Sequence, residues 1–324
     1  MRPPPLPPFG IRAVWTVLTA FPSGPWVVAS LVAELVAVGW YLHAVGVLRS
    51  RGRTWPATRT AAFMVGVFCV ALAWQSGIPV YAGSIFSIHI IQHLLLMSVA
   101  PILFALSSPV TLAMQTTTRA RKVAALRLLH GRTVRTLTHP LVSGAGNYGL
   151  MFWFFLDGGI VVSMAHPAMM DAVNCLFLFF GCLVWWPVLS VDYLGRRRYL
   201  PPVRLLLGLS GMPFDTVLAI SLLAGGASTS IAPTMYTLTS VQEGAAVFWI
   251  FAMNIAALGS ILPARQWLAG ERRKSGRNDD VLDQRAVVRN ESRYGWWGTE
   301  VPIEADGTMR VPWSTAEPDT GRVG

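Results

Sequence analysis

Two histidines four residues apart, His89 and His93, stand inside the apolar run IFSIHIIQHLLLMSVAPILFAL. Positions i and i+4 of a helix lie roughly 5–6 Å apart at Cβ, near enough for both rings to hold one metal ion, as paired histidines do on a zinc-protease helix. Met97 carries the same stripe one turn further. Imidazole with thioether suits copper, whereas a catalytic zinc site would more usually add a carboxylate beside the histidines. Two rings that each hydrogen-bond a neighbouring helix would account for the same residues without a metal.

The elements that must position these rings are membrane helices. With 53% hydrophobic and 13% charged residues in 324, the chain has too little polar surface for a soluble protein of its size. A helix crossing ~30 Å of hydrocarbon needs ~20 mostly apolar residues. Seven stretches meet that need, at about 26–48, 60–78, 85–106, 139–163, 170–191, 205–225 and 243–263. The expected fold is all-α, a polytopic bundle of seven transmembrane helices in a bacterial plasma membrane. The net charge of +10 does not indicate nucleic acid, because the basic residues flank apolar spans. Arg49, Arg51, Arg53 and Arg59 follow span one, six Lys or Arg from Arg119 to Arg135 follow span three, and Arg196, Arg197, Arg198 and Arg204 follow span five. The alternate connections carry none, so the N-terminus is expected outside and the C-terminus inside.

Three regions follow from this layout. Residues 1–25 read as an outer or interfacial arm, since their prolines and the lack of a small-residue cleavage site argue against a signal peptide. Residues 26–265 form the membrane domain, and 266–324 read as a cytoplasmic, largely disordered tail in which Trp296 and Trp297 could touch lipid or a partner. The basic segment TTTRARKVAALRLLHGRTVRTL is helix-compatible and expected along the membrane lipids of the inner leaflet. Cys69, Cys175 and Cys182 show no CxxC spacing and read as small buried apolar residues.

Span direction assigns each polar residue a depth. Glu34, His89, His93, Asp157, Asp171, Asn174 and Glu243 fall toward the outer side, while Asp215 of span six lies near mid-depth. A carboxylate in a span costs roughly 2.5–3.5 kcal/mol, so this grouping implies a polar cavity opening outward. The outer loop SMAHPAMMD adds Met164, His166, Met169 and Met170, a set able to capture Cu(I) or simply to fill an interface. His166-Pro167 also suits a turn. His43, His130 and His139 lie at the opposite, basic end.

At HIIQHLLLMSVAPILFALSSPVTLAM the chain resembles the CtaG family of bacterial cytochrome c oxidase assembly factors, whose third span carries a His-x-x-Gln-His-hydrophobic-Ala-Pro pattern. Thr138-His139-Pro140, Gly181 with Trp185-Trp186-Pro187-Val188-Leu189 and Asp192, Met212-Pro213 and RSRGRTWPATR strengthen the likeness, which covers about residues 26–265. The resemblance implies an accessory protein, not an enzyme, that serves maturation of a haem-copper oxidase subunit at the stage of copper delivery, with His89 and His93 as site residues and Gln92 beside them. The chain departs from the family where span four commonly has Trp-His-x-Pro, here Trp153-Phe154-Phe155-Leu156-Asp157. Met170 and Asn174 stand where further histidines are usual, and Ser240-Val241-Gln242-Glu243 replace an acidic-Gln pair.

Two other classes remain open on the residues. A copper or proton-coupled transporter would use Glu34, Asp157 and Asp215 along a path with proline-broken helices, although the sequence shows no inverted repeat. A haem enzyme would need an opposing histidine at similar depth, and none is evident. A metal-free assembly scaffold is the third possibility, favoured by the missing family histidines. If copper is held, its ligands are expected to be His89, His93 and Met97, with Met164, His166, Met169, Met170 and Asp157 as secondary candidates.

Overall fold

The computed structural model describes residues 15–16, 19–22, 24–189, 191, 199–225 and 236–291, with side chains as far as Gly276. Most of the expected N-terminal arm, Asp192, Arg196–Arg198 and the tail beyond Glu291, with Trp296 and Trp297, lie outside the described residues. The described residues form helices and no strand. The chain divides into two units, Met1–Arg265 and Gln266–Gly324, and the core and cavities described below belong to the first.

Helix α1 (Pro25–Ser50) opens on a proline, whose missing N–H costs nothing at a helix start. Helix α2 (Ala57–Gln75) follows Pro56. Near the basic loops the two are joined by Tyr41 stacked on Phe63 with ring centroids 4.1 Å apart. Tyr41 Oη donates to the Ser107 carbonyl at 2.9 Å and accepts from Trp55 Nε1 at 3.1 Å. The short helix α3 (Gly77–Ala82) is capped by Ser76 Oγ, which accepts from the Ile78 N–H at 3.0 Å.

The third span is one 31-residue run, Phe86–Thr116. It comprises α4 (Phe86–Leu94), a π-helical stretch (Leu95–Val99), α5 (Ala100–Ser107) and α6 (Pro109–Thr116). Over half of its most apolar window, 56%, is buried, against 22–44% for the other single-helix spans, so it is the central helix. The π stretch has a local cause. Pro101 has no N–H for the Met97 carbonyl four residues back, and its ring would strike that carbonyl in a regular α-turn. Widening the turn relieves the clash, and Gly181 of α11 (Pro167–Leu189) meets the displaced carbonyl. A Cβ on Gly181 would sit 2.3 Å from the Met97 oxygen.

Basic helices α7 (Arg119–Leu129) and α8 (Arg132–Leu137) bury no residue, as a segment lying on lipid should. His139 Nδ1 accepts from the Leu141 N–H at 3.3 Å and caps α9 (Pro140–Leu156). The fourth span differs from expectation: it is not continuous over 139–163 but breaks at Asp157-Gly158 and turns by 77° into α10 (Gly159–Ala165). Gly158, with φ 76°, supplies the left-handed residue that ends such a helix. Span six is α12 (Pro201–Leu209) and α13 (Met212–Leu223), and the last helix, α14, runs Leu238–Glu291, well beyond the 243–263 suggested by hydropathy. Among the described residues six helices are long and apolar enough to cross a membrane, or seven if the bent α9–α10 pair is one span. A core cluster from Cys69 to Ala252 surrounds the central helix, and a second, from Tyr41 to Leu112, joins the first two spans to its far end.

Candidate functional site: a buried imidazole pair beside a cavity

The helical spacing brings His89 and His93 together as predicted. Their Nε2 atoms lie 2.8 Å apart, a hydrogen-bond distance, and each residue is 1% exposed. His89 Nδ1 lies 2.9 Å from Tyr236 Oη, and that hydroxyl donates to the Ala82 carbonyl. One assignment of protons satisfies the chain. Tyr236 gives its only proton to Ala82, so it accepts from His89 Nδ1–H. His89 Nε2 is then bare and accepts from His93 Nε2–H. The lone pair of His93 Nδ1 is left over, and this buried atom has no partner among the described residues.

Aromatic rings enclose the pair. His93 has Phe154 and Phe177 at 4.7 Å and Phe155 at 5.6 Å between centroids, while His89 has Phe154 at 5.6 Å and Phe86 at 6.4 Å. Phe154 is the residue standing where the resemblance implies a histidine. The departure from the family therefore falls on the rings of the pair itself.

On the other side, His89 and Gln92 line a cavity of about 390 Å³, together with Trp74, Asp171, Asn174, Ser163, Met164 and Met170. Gln92 Nε2 donates to the Ala73 carbonyl at 2.8 Å, one of the last carbonyls of α2, which the break at Ser76 leaves without a helical partner. Trp74 Nε1 donates to Asp171 Oδ1 at 3.3 Å. Asn174 Oδ1 and Ser163 Oγ are buried and unpartnered among the described residues. Asn174 and Met170, which replace further family histidines, thus line the same cavity.

The remaining candidates are distributed elsewhere. Met164 joins the site from α10, with its sulfur 3.7 Å from Tyr236 Oη. Met169 is half-buried and does not line the cavity, while His166 is exposed and its carbonyl accepts the Met169 and Met170 N–H groups at the start of α11. Asp157 is exposed at the bend. Met97 lines a different, smaller cavity with Ser98, Asn147, Tyr148 and Asp215. Glu34 accepts from Gln75 Nε2 at 2.9 Å in a groove outside the pair. Sequence reasoning missed Tyr236, which lies 147 residues from its imidazole partner in a loop without a motif. Burial pushes its phenol well above the usual value.

Two imidazoles sharing one ion at ~2.0 Å in a tetrahedral arrangement place their nitrogens about 3.3 Å apart, and a linear arrangement about 4 Å. At 2.8 Å the pair matches a shared proton, and a bound ion would part the rings by roughly 0.5–1.2 Å. Among the described residues, no group of three or more His, Cys, Asp or Glu comes together to hold a metal. The donors that fit are the two imidazoles with thioether sulfur nearby, a soft set of low charge.

These features define a class: a multi-pass helical membrane protein whose central span presents a paired-imidazole site at a cavity. The chain belongs to the cytochrome c oxidase caa3 assembly factor family, whose profile matches residues 39–270. It is similar to uncharacterised proteins of Mycobacterium bovis and Mycobacterium tuberculosis, each 28% identical over 270 residues, covering 77% of this chain and 40% of the relative. An uncharacterised protein of Mycobacterium leprae is 26% identical over 273 residues, covering 78% of this chain and 40% of the relative. The chain thus spans about 40% of the length of the curated relatives it matches. No solved structure matches it. It is a multi-pass bacterial membrane protein of an oxidase assembly family.

Proposed function

We propose that this chain delivers copper, as cargo, to a haem-copper oxidase subunit, and that His89 and His93 hold the ion during transfer. The observation that carries the reading is the facing of the two Nε2 atoms, 2.8 Å apart, on a helix whose next polar neighbours line a 390 Å³ cavity with two methionines. Cu(I) takes two or three soft or imidazole donors, and Met164 and Met170 supply thioethers on the approach. The basic loops at the opposite end favour an outer position for this end of the bundle, where copper outside the cytoplasm would be met. Transfer proceeds by ligand exchange and requires no turnover.

A second reading, a metal-free scaffold that docks the oxidase, draws support from Phe154, which occupies the place of a family histidine, and from a pair already satisfied by one shared proton. Purified protein loaded with Cu(I) under anaerobic, reducing conditions separates the two. Copper delivery predicts about one ion per chain, lost in His93→Ala, and failure of oxidase maturation in cells carrying His89→Ala with His93→Ala. Absence of bound Cu(I) together with normal maturation in the double variant would leave the scaffold.

A further inference from the structure

The second cavity, deeper in the bundle, has not been given a role. Its volume is about 30 Å³, the room taken by one water molecule. It lies where the π-helical stretch, α9, α11, α12, α13 and α14 converge, and its oxygens come from Asp215, Asn147, Ser98 and Tyr148. Asn147 is 4% exposed, and its Oδ1 is buried without a hydrogen-bond partner among the described residues. Asp215 is 8% exposed, inside a membrane-spanning run, and among the described residues no Lys, Arg or His lines the cavity with it.

Charge and donor type then restrict the occupant. An isolated carboxylate in an apolar interior must be neutralised or paired. The N-terminus of α13, on whose first turn Asp215 sits, supplies about half a positive charge at most, and Pro213 removes one of its N–H groups. The side chains that face the space offer acceptors, Asn147 Oδ1 and the Asp215 oxygens, with two hydroxyls that can turn to accept. Four oxygen-bearing side chains against the one thioether of Met97 suit a hard cation rather than copper. A single carboxylate balances a single positive charge, and a volume of one water admits an ion without its hydration shell.

We propose that this cavity binds one dehydrated alkali-metal cation, coordinated by Asp215 and Asn147, which neutralises the carboxylate and ties α13 to α9 and the central helix. The site is distinct from the imidazole pair and does not depend on the copper reading. Its test uses the full-length chain in detergent at constant ionic strength, with NaCl or KCl exchanged against choline chloride, which is too large to enter. The expected result is a saturable rise in Tm of about 2–3 °C at ten times the dissociation constant. Asn147→Ala should shift that titration to higher salt concentration, and Asp215→Asn should abolish it. Equal Tm in all three salts overturns the proposal, with a proton on Asp215 and a water beside it as the occupants. A cation effect of full size in Asp215→Asn overturns it too. If Asp215→Asn does not fold, the wild-type titration against choline and the Asn147→Ala shift decide the matter.

Discussion

Replacing Tyr236 by Phe tests the proton assignment at the imidazole pair. The hydroxyl joins the Ala82 carbonyl to His89 Nδ1, 2.9 Å away, and lies 3.7 Å from the Met164 sulfur. Ala82 ends α3, so its carbonyl has no helical donor and Tyr236 acts as its cap. The Phe variant keeps the ring, with its edge-to-face contact on Phe86 at 5.2 Å, and loses only the oxygen. A buried carbonyl and a buried N–H are each left without a partner, at about 1–3 kcal/mol apiece. Allowing for partial relaxation, the loss is about 2–4 kcal/mol, or a fall in Tm of roughly 3–6 °C. The second readout is nitrogen NMR of the histidine rings. In the wild type the proton sits on Nδ1 of His89 and on Nε2 of His93, giving two distinct neutral rings. Without Tyr236 nothing fixes the His89 proton at Nδ1, and the difference between the rings should blur. On the copper reading, removing this outer hydrogen bond also lowers Cu(I) affinity by about 10–100-fold. An unchanged Tm together with unchanged ring signals would refute both the hydrogen-bond chain and the proton positions drawn from it.

Other outcomes follow from the same geometry. Gly181→Ala drives a Cβ to 2.3 Å from the Met97 oxygen and 2.8 Å from Pro101 Cγ, and because the obstacle is backbone, we expect a loss of about 2–3 kcal/mol in thermal unfolding. Arg204 is buried and donates from Nε to the Val188 carbonyl at 2.7 Å and from Nη2 to the Leu189 carbonyl. Arg204→Ala should therefore destabilise by about 2–3 kcal/mol and loosen the end of α11, seen as faster amide exchange there. The raised phenol of Tyr236 gives an alkaline dependence. The folded chain keeps this proton where the unfolded chain, with an ordinary pKa of 10.0, releases it. That contribution is complete below pH about 10 and is lost as pH rises past it. The wild-type Tm should thus fall more steeply above pH about 10 than that of Tyr236→Phe.

The histidine pair was legible because two features of sequence determine it: helical spacing and the cost of placing imidazoles in an apolar run. Membrane crossing was legible for the same reason, since hydropathy over ~20 residues leaves few alternatives. What spacing cannot carry is contact across the fold. Tyr236 reaches His89 from a loop between spans, and no periodicity marks it. Met97 continues the histidine stripe in sequence yet lines the deeper cavity, in a stretch where Pro101 forces the helix out of regular α geometry. The break at Asp157-Gly158 was written in the chain as Asp-Gly after an apolar run, but hydropathy alone read through it. Phe154 was visible as a departure from the family, and only its 4.7 Å contact with His93 shows that the change falls on the site.

The break at Asp157-Gly158 also acts as a gauge of membrane thickness. Helix α9 has 17 residues, a length of about 25 Å, close to the hydrocarbon depth of a thin bilayer. Beyond it α10 turns by 77° and cannot continue across. A bilayer spanned by α9 alone would have its boundary near Leu156, with the exposed carboxylate of Asp157 on the aqueous side. Ser163 and Met164 of α10 line the same cavity as His89, which sits only about 5 Å along α4 from Phe86. On the copper reading, an ion approaching the imidazoles from this face would leave the high-dielectric phase for only a few ångströms, so its desolvation would be brief and no conduit through the full bilayer would be required.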